Sequence, residues 1–200
     1  MLWDNIAVLC SGSEIVAAKQ NPGSVTFPKS DHDHVQCIEA ALDRAAAVCT
    51  DRGVRLTELR RRVLEIVWQN HKPLGAYHIL DQLRRDGRAA APPTVYRALE
   101  FLLEQGLVHR IASMNAFVGC SRPGHISDGQ FLICRGCGSS TELDDGNLEK
   151  VIARNSGSVG FTVEHLTIEA RGLCPHCRRA RGEQGEYSKV SVSVEESSGS

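Results

Sequence analysis

Apolar residues recur with a helical spacing of three and four along the first half of the chain, and with alternation along parts of the second half. From Val35 to Arg52, Ile38, Ala41, Leu42, Ala45 and Val48 mark one helix face, and Gly53 supplies the stop. Thr57 is placed to cap a second helix with Leu59, Val63, Leu64, Val67 and Trp68 on one face and Arg60, Arg61 and Arg62 on the other. His71-Lys72-Pro73-Leu74-Gly75 breaks the chain. A third helix then runs from Ala76 to about Arg85 with Ile79, Leu80 and Leu83 inward, bounded by Asp86-Gly87 and Pro92-Pro93. The pattern predicts a fourth helix from Val95 to about Gln105, capped by Thr94 and ended by Gly106, with Val95, Leu99, Leu102 and Leu103 inward. The alternating runs Leu107–Ile111 and Ala116–Gly119 read as a β-hairpin. Helices followed by such a hairpin make a winged helix-turn-helix.

A second unit begins near Gly129. Phe131-Leu132-Ile133 and Thr141-Glu142-Leu143 read as strands, Asn147 to Arg154 as a short helix, and Gly160 to Ala170 as an alternating strand through Phe161, Val163, Leu166 and Ile168. The fold class is therefore mostly α with a small α+β unit appended. The expected organisation is a leader over 1–30, a winged-helix domain over 31–119, a linker over 120–128, an α+β domain over 129–180 and a tail over 181–200. Leader and tail are expected to be disordered, and the leader is a poor signal peptide because it lacks a basic start and a long apolar stretch.

Two short Cys pairs carry the clearest chemistry: Cys134-Arg135-Gly136-Cys137 and Cys174-Pro175-His176-Cys177. A thiolate pair two residues apart can hold one metal from a tight turn, and a second pair completes a closed tetrahedral site of the structural zinc type. The 36 residues between Cys137 and Cys174 require the knot to close around a folded unit. Disulfides are disfavoured without a secretory signal, and the cysteine usage fits a reducing cytoplasm. A closed four-thiolate site leaves no open position for water, and neither His-x-Glu ahead of Pro-Cys-x-x-Cys nor His-Glu-x-x-His is present, which argues against a zinc enzyme.

Net charge is −1, so bulk charge identifies no partner. Its distribution does more: Arg55 to Arg110 carries ten Lys/Arg against six Asp/Glu. That basic stretch coincides with the helix-turn-helix, whose fourth helix turns Tyr96, Arg97 and Glu100 outward. Arg97 can fork onto a guanine edge and Tyr96 can meet a phosphate or a thymine methyl. Thr94, Tyr96, Arg97, Arg60 and Arg61 are the candidate contacts to double-stranded DNA. No run of 18 apolar residues exists to span a membrane as a helix.

The string from Pro92 to His109, followed by Cys134-x-x-Cys137-Gly138 and Gly172-Leu173-Cys174-x-x-Cys177, resembles the ferric uptake regulator superfamily from about Cys37 to Ala180. Within it the chain is most similar to the zinc uptake regulators: Pro92-Pro93 precede Thr94-Val95-Tyr96-Arg97, Cys120 follows the hairpin, and Gln130-Phe131-Leu132-Ile133-Cys134 opens the first pair. The His-rich run typical of iron sensors is replaced by His125-Ile126-Ser127-Asp128-Gly129-Gln130.

The resemblance implies a homodimer joined through the α+β unit that binds a palindromic operator when zinc is replete. It also implies a regulatory zinc site made by His109, Cys120, His125 and Glu142, with Asp128 an alternative to His125 and His165 a possible third-site ligand. Taken singly, His109 has a wing-surface reading, Cys120 a buried-hydrophobe reading and Glu142 a solvated-strand reading. The competing expectation is a relative responding to iron, manganese or peroxide, against which the soft thiolate of Cys120 argues.

Overall fold

A computed structural model of the chain describes residue 27 and residues 34–69, 72–123, 129–143 and 146–182. All of the leader but residue 27 lies outside the described residues, as do His32, His125, Asp128 and most of the tail. Four helices lead: α1 (His34–Asp51), α2 (Glu58–Trp68), α3 (Ala76–Arg85) and α4 (Pro92–Glu104). The sequence signals explain their ends. Gly53 at φ 64° ends α1, and the Thr57 side chain accepts the Arg60 N–H at the start of α2. Gly106 at φ 62° ends α4, where Leu107 N–H reaches back to Leu102 O at 2.8 Å.

Thr94 is not the cap that the sequence predicts. Pro92 and Pro93 need no N–H partner and already fill the first helical positions, so Ala91 takes the cap place with extended backbone. Thr94 lies inside the first turn, its N–H on Ala91 O at 3.0 Å.

A three-stranded antiparallel sheet, ordered β1 (Leu74–Gly75), β3 (Ala116–Gly119), β2 (Val108–Ile111), packs on these helices. The stretch read as a chain break thus contributes β1, because Leu74 and Gly75 pair with Phe117 and Ala116. One core joins all of this: Val63, Ile79, Leu83, Leu99 and Leu102 are among its fully buried residues. The wing is therefore rigidly part of the helical head.

The second sheet is ordered β5 (Ser140–Leu143), β4 (Gln130–Cys134), β6 (Ile168–Gly172), with β4 antiparallel to β5 and parallel to β6. A parallel return needs a crossover, which α5 (Gly146–Ser158) supplies. That helix is longer than the Asn147–Arg154 expected. The predicted strand over 160–170 is displaced: β4 offers five residues, so only Ile168 to Gly172 pair with it, and Phe161 stays 65% exposed. A last helix, α6 (Pro175–Ala180), which the periodicity did not reveal, is opened by Cys174 as its cap. A small apolar plug of Ile111, Phe131 and Ile133, with Val118 against it, joins the wing to the second sheet.

Candidate metal centres and nucleic-acid interface

The parallel pairing of β4 with β6 sets Cys134 beside Gly172 and so delivers the second Cys pair to the first. The four sulfurs lie within 4.8 Å of one another, and all four cysteines are free. Cys137 Sγ and Cys174 Sγ are 3.8 Å apart, the separation that tetrahedral bonds of roughly 2.3 Å to one zinc impose (about 3.8 Å). Backbone N–H groups converge on the knot: Gly136 and Cys174 donate to Cys134 Sγ at 3.4 and 3.2 Å, and Cys177 donates to Cys174 Sγ at 3.4 Å. A Cβ at Gly136 would stand 3.0 Å from Cys177 Sγ, so the turn admits little but glycine there.

The electrostatics favour a cation. Burial opposes ionisation of Cys134, but those backbone donors outweigh it and bring the thiol down to about 6. Desolvation and the neighbouring cysteines instead push Cys177 up to about 12. Four thiolates together are resisted by their own repulsion, and a divalent ion with a thiolate preference relieves it.

A second cluster forms between the two sheets. Ligand atoms of His109 on β2, Cys120 just after β3 and Glu142 on β5 also lie within 4.8 Å of one another. His109 and Cys120 are buried, and the His109 ring meets Phe131 edge-on at 5.4 Å. His109 Nε2 stands 3.3 Å from Glu142 Oε1 and is buried without a hydrogen-bond partner among the described residues. An orphaned, buried ring nitrogen facing a thiol and a carboxylate fits a metal ligand better than a packed core histidine.

Ser121 was not singled out in the sequence, yet its hydroxyl donates to Glu142 Oε2 at 2.9 Å and orients that carboxylate. No spacing signal marks it. Burial opposes charging His109, but the Cys120 sulfur and Glu142 carboxylate beside it win and raise it to about 9. Glu142 moves the opposite way: burial raises it, and the His109 ring outweighs that and holds it below the ordinary carboxylate value.

A raised histidine has a definite sign. Without metal, the proton on His109 adds stability that is fully present below about pH 6.5 and fades as pH rises through about 9. Zinc must displace that proton. Its affinity at this cluster is expected to rise about tenfold per pH unit through this window, for each proton released. Competition against a chelator of known pH dependence measures it, and a pH-independent affinity would remove His109 from the ligand set.

On α4, Tyr96, Arg97 and Glu100 point outward and Thr94 is half-buried at the first turn. Arg61 on α2 is exposed. Arg60, expected on the same polar face, turns inward: its guanidinium lies 3.5 Å over the Phe101 ring and donates to Arg55 O at 2.7 Å. Arg62 is held by both carboxylate oxygens of Asp86, at 2.6 and 3.0 Å, and by Glu65. Cys49 is buried in the core of the head.

A winged-helix head, an α+β unit with a four-thiolate knot and a mixed-donor cluster between them define a metal-dependent transcription regulator, not an enzyme. The ferric uptake regulator family model matches residues 51–171, and the chain belongs to that family. The zinc uptake regulation protein of Escherichia coli is 41% identical over 139 residues, covering 68% of this chain and 80% of that protein. The protein of the same name from Mycobacterium tuberculosis is 33% identical over 129 residues, covering 63% of this chain and 96% of its own. A solved zinc uptake regulator complexed with zinc and DNA is 37% identical with a TM-score of 0.67, over 72% of this chain and 97% of that one. Holo XcZur is 39% identical with a TM-score of 0.64, over 72% and 98%.

Proposed function

We propose that this chain is a zinc-responsive transcriptional repressor that binds palindromic operator DNA as a homodimer when zinc is plentiful, and so controls zinc uptake and homeostasis genes. The observation that carries the reading is the second cluster. His109 and Cys120 belong to the winged head over 31–119 and its boundary, whereas Glu142 belongs to the α+β hub over 129–180. His125, in the hinge over 120–128, is the fourth ligand of this reading. Zinc bound there would supply bonds that tie head to hub. Any swing of the head pulls His109 from Glu142, so metal occupancy and head orientation are one equilibrium. A roughly 100-fold change in operator affinity needs only about 2.7 kcal/mol of differential zinc binding.

The donor set supports zinc over iron or manganese. Two imidazoles, one thiolate and one carboxylate suit a borderline-soft tetrahedral ion, and Cys120 suits hard Fe2+ or Mn2+ poorly. The Cys134, Cys137, Cys174 and Cys177 knot is the permanent structural zinc. The hub has apolar surface that the described residues leave uncovered: Val151 is 42%, Val159 79% and Phe161 65% exposed. A second copy of the hub covers it in the homodimer. Among the described residues no helix is long and apolar enough to cross a membrane, and free thiols belong in the cytoplasm.

Operator contact is assigned to Tyr96, Arg97 and Thr94 on α4, with Arg61 on the flanking phosphates. Arg60 is drawn off by Phe101 and contributes by packing. In an anisotropy titration of a palindromic AT-rich duplex, the zinc-loaded dimer should bind and the chelated dimer should release. Arg97→Ala should weaken the loaded complex by about 1–3 kcal/mol per half-site with zinc content unchanged. Equal duplex affinity with and without second-site zinc would sink the proposal.

A further inference from the structure

We infer that Glu169 is a positioning residue for operator binding, a carboxylate clamp on β6 that grips the backbone of the wing and sets the angle at which α4 is presented. This inference rests on the repressor reading above. One oxygen of Glu169 accepts the Ala112 N–H at 2.6 Å, and the other accepts the Ser113 N–H at 3.1 Å. Those N–H groups open the 3-10 turn Ala112–Met114, to which Ile111 offers no side-chain cap. A residue 57 positions further along the chain supplies what the local sequence lacks.

The placement gives the contact its meaning. His109 lies near one end of β2 and Ala112 just past the other, with Ile111 buried between them against Phe131 and Ile133. Phe131 is the β4 partner of Glu169 and also meets the His109 ring edge-on. The hub therefore grips one strand of the wing at two points three residues apart, one through the metal-ligand cluster and one through Glu169. A single attachment leaves the head free to swivel about it; two attachments on one rigid strand do not. Because β2 is continuous with the core of the head, fixing the wing fixes α4.

The clamp uses no metal, so it favours the closed arrangement at every zinc level. Without it, zinc must supply the missing bias, and more zinc is needed for the same operator occupancy.

The experiment compares the full-length wild-type dimer with Glu169→Gln and Glu169→Ala. Two things are measured: amide exchange at Ala112 and Ser113, and anisotropy of a palindromic AT-rich duplex across buffered zinc. In zinc-loaded wild type both amides should be protected, in Glu169→Ala they should exchange fast, and Glu169→Gln should fall between. The zinc midpoint for duplex binding should rise about tenfold in Glu169→Ala, with dimer mass and four-thiolate zinc unchanged. If that variant loses its structural zinc, the near-isosteric Glu169→Gln carries the comparison. Equal amide protection in wild type and variants overturns the clamp, and so does deprotection with no shift in midpoint. Duplex binding by wild type that ignores zinc overturns the repressor reading instead, and is seen before any variant is compared.

Discussion

Cys134→Ser is expected to dissolve the α+β hub while the winged head stays folded. The two halves differ in what holds them. Among the described residues the head has twenty buried core residues, whereas the plug beneath the hub sheet has three, one of them Ile111 from the wing. Among the described residues, α5 buries none of its own. A unit of this size with so little apolar core needs a staple.

Cys134 is the centre of that staple, 1% exposed at the end of β4, where its sulfur collects two backbone N–H bonds. Structural zinc contributes an apparent binding energy on the order of 10–16 kcal/mol in small zinc domains, more than the hub can replace. Serine offers a hard, protonated oxygen where a thiolate is needed. Metal analysis should find the structural zinc gone. Size exclusion should find the dimer lost, and thermal melting monitored by circular dichroism should keep the transition of the head alone. A variant that retains a dimer and its structural zinc would contradict the assignment of the knot as the permanent site.

How much of this was legible in the sequence depended on how local each determinant is. The four helices are written in a period of three to four with their stops beside them, so Val63, Val67, Ile79, Leu83 and Leu99 could be placed inward from spacing alone. The hub is written in pairings between distant segments. Alternation through Phe161 and Val163 imitates a strand, yet β4 accepts its partner only from Ile168 onward. Arg60 shows a similar limit: a helix face predicts where the side chain starts, and the ring of Phe101 decides where it ends.

The metal clusters divide in the same way. The four thiolates announce themselves because each pair sits in a turn of fixed bite, and the fold has only to bring two turns together. His109, Cys120 and Glu142 sit on three separate stretches with no motif spacing among them, and only the family resemblance gathered them in advance. Ser121 and Glu169 carried no signal at all, since a serine beside a turn and a glutamate in a strand are ordinary residues until the fold places their oxygens. Function here lies in juxtaposition across two sheets, the layer that composition and periodicity reach last.

Cys120→Ser should separate the two metal roles. Cys120 is buried, 1% exposed, with its N–H on Leu107 O at 3.0 Å, so serine fits the space without disturbing head or hub. The knot between β4 and α6 is untouched, and structural zinc and dimer mass should stay as in wild type. The second cluster loses its thiolate, and the remaining His109, His125 and Glu142 of this reading hold zinc more weakly. With that affinity reduced, the closed arrangement leans on contacts such as the Glu169 clamp and the small apolar plug. Duplex affinity in saturating zinc should fall by about 100-fold, toward that of chelated wild type, which corresponds to about 2.7 kcal/mol. The shift in the His109 titration supplies an independent check, because the Cys120 sulfur is one of the groups that raise it. In metal-free protein the imidazole of the variant should titrate below that of wild type, as NMR can follow. A Cys120→Ser protein that still represses in a zinc-dependent way would show that the ion closing this dimer binds elsewhere.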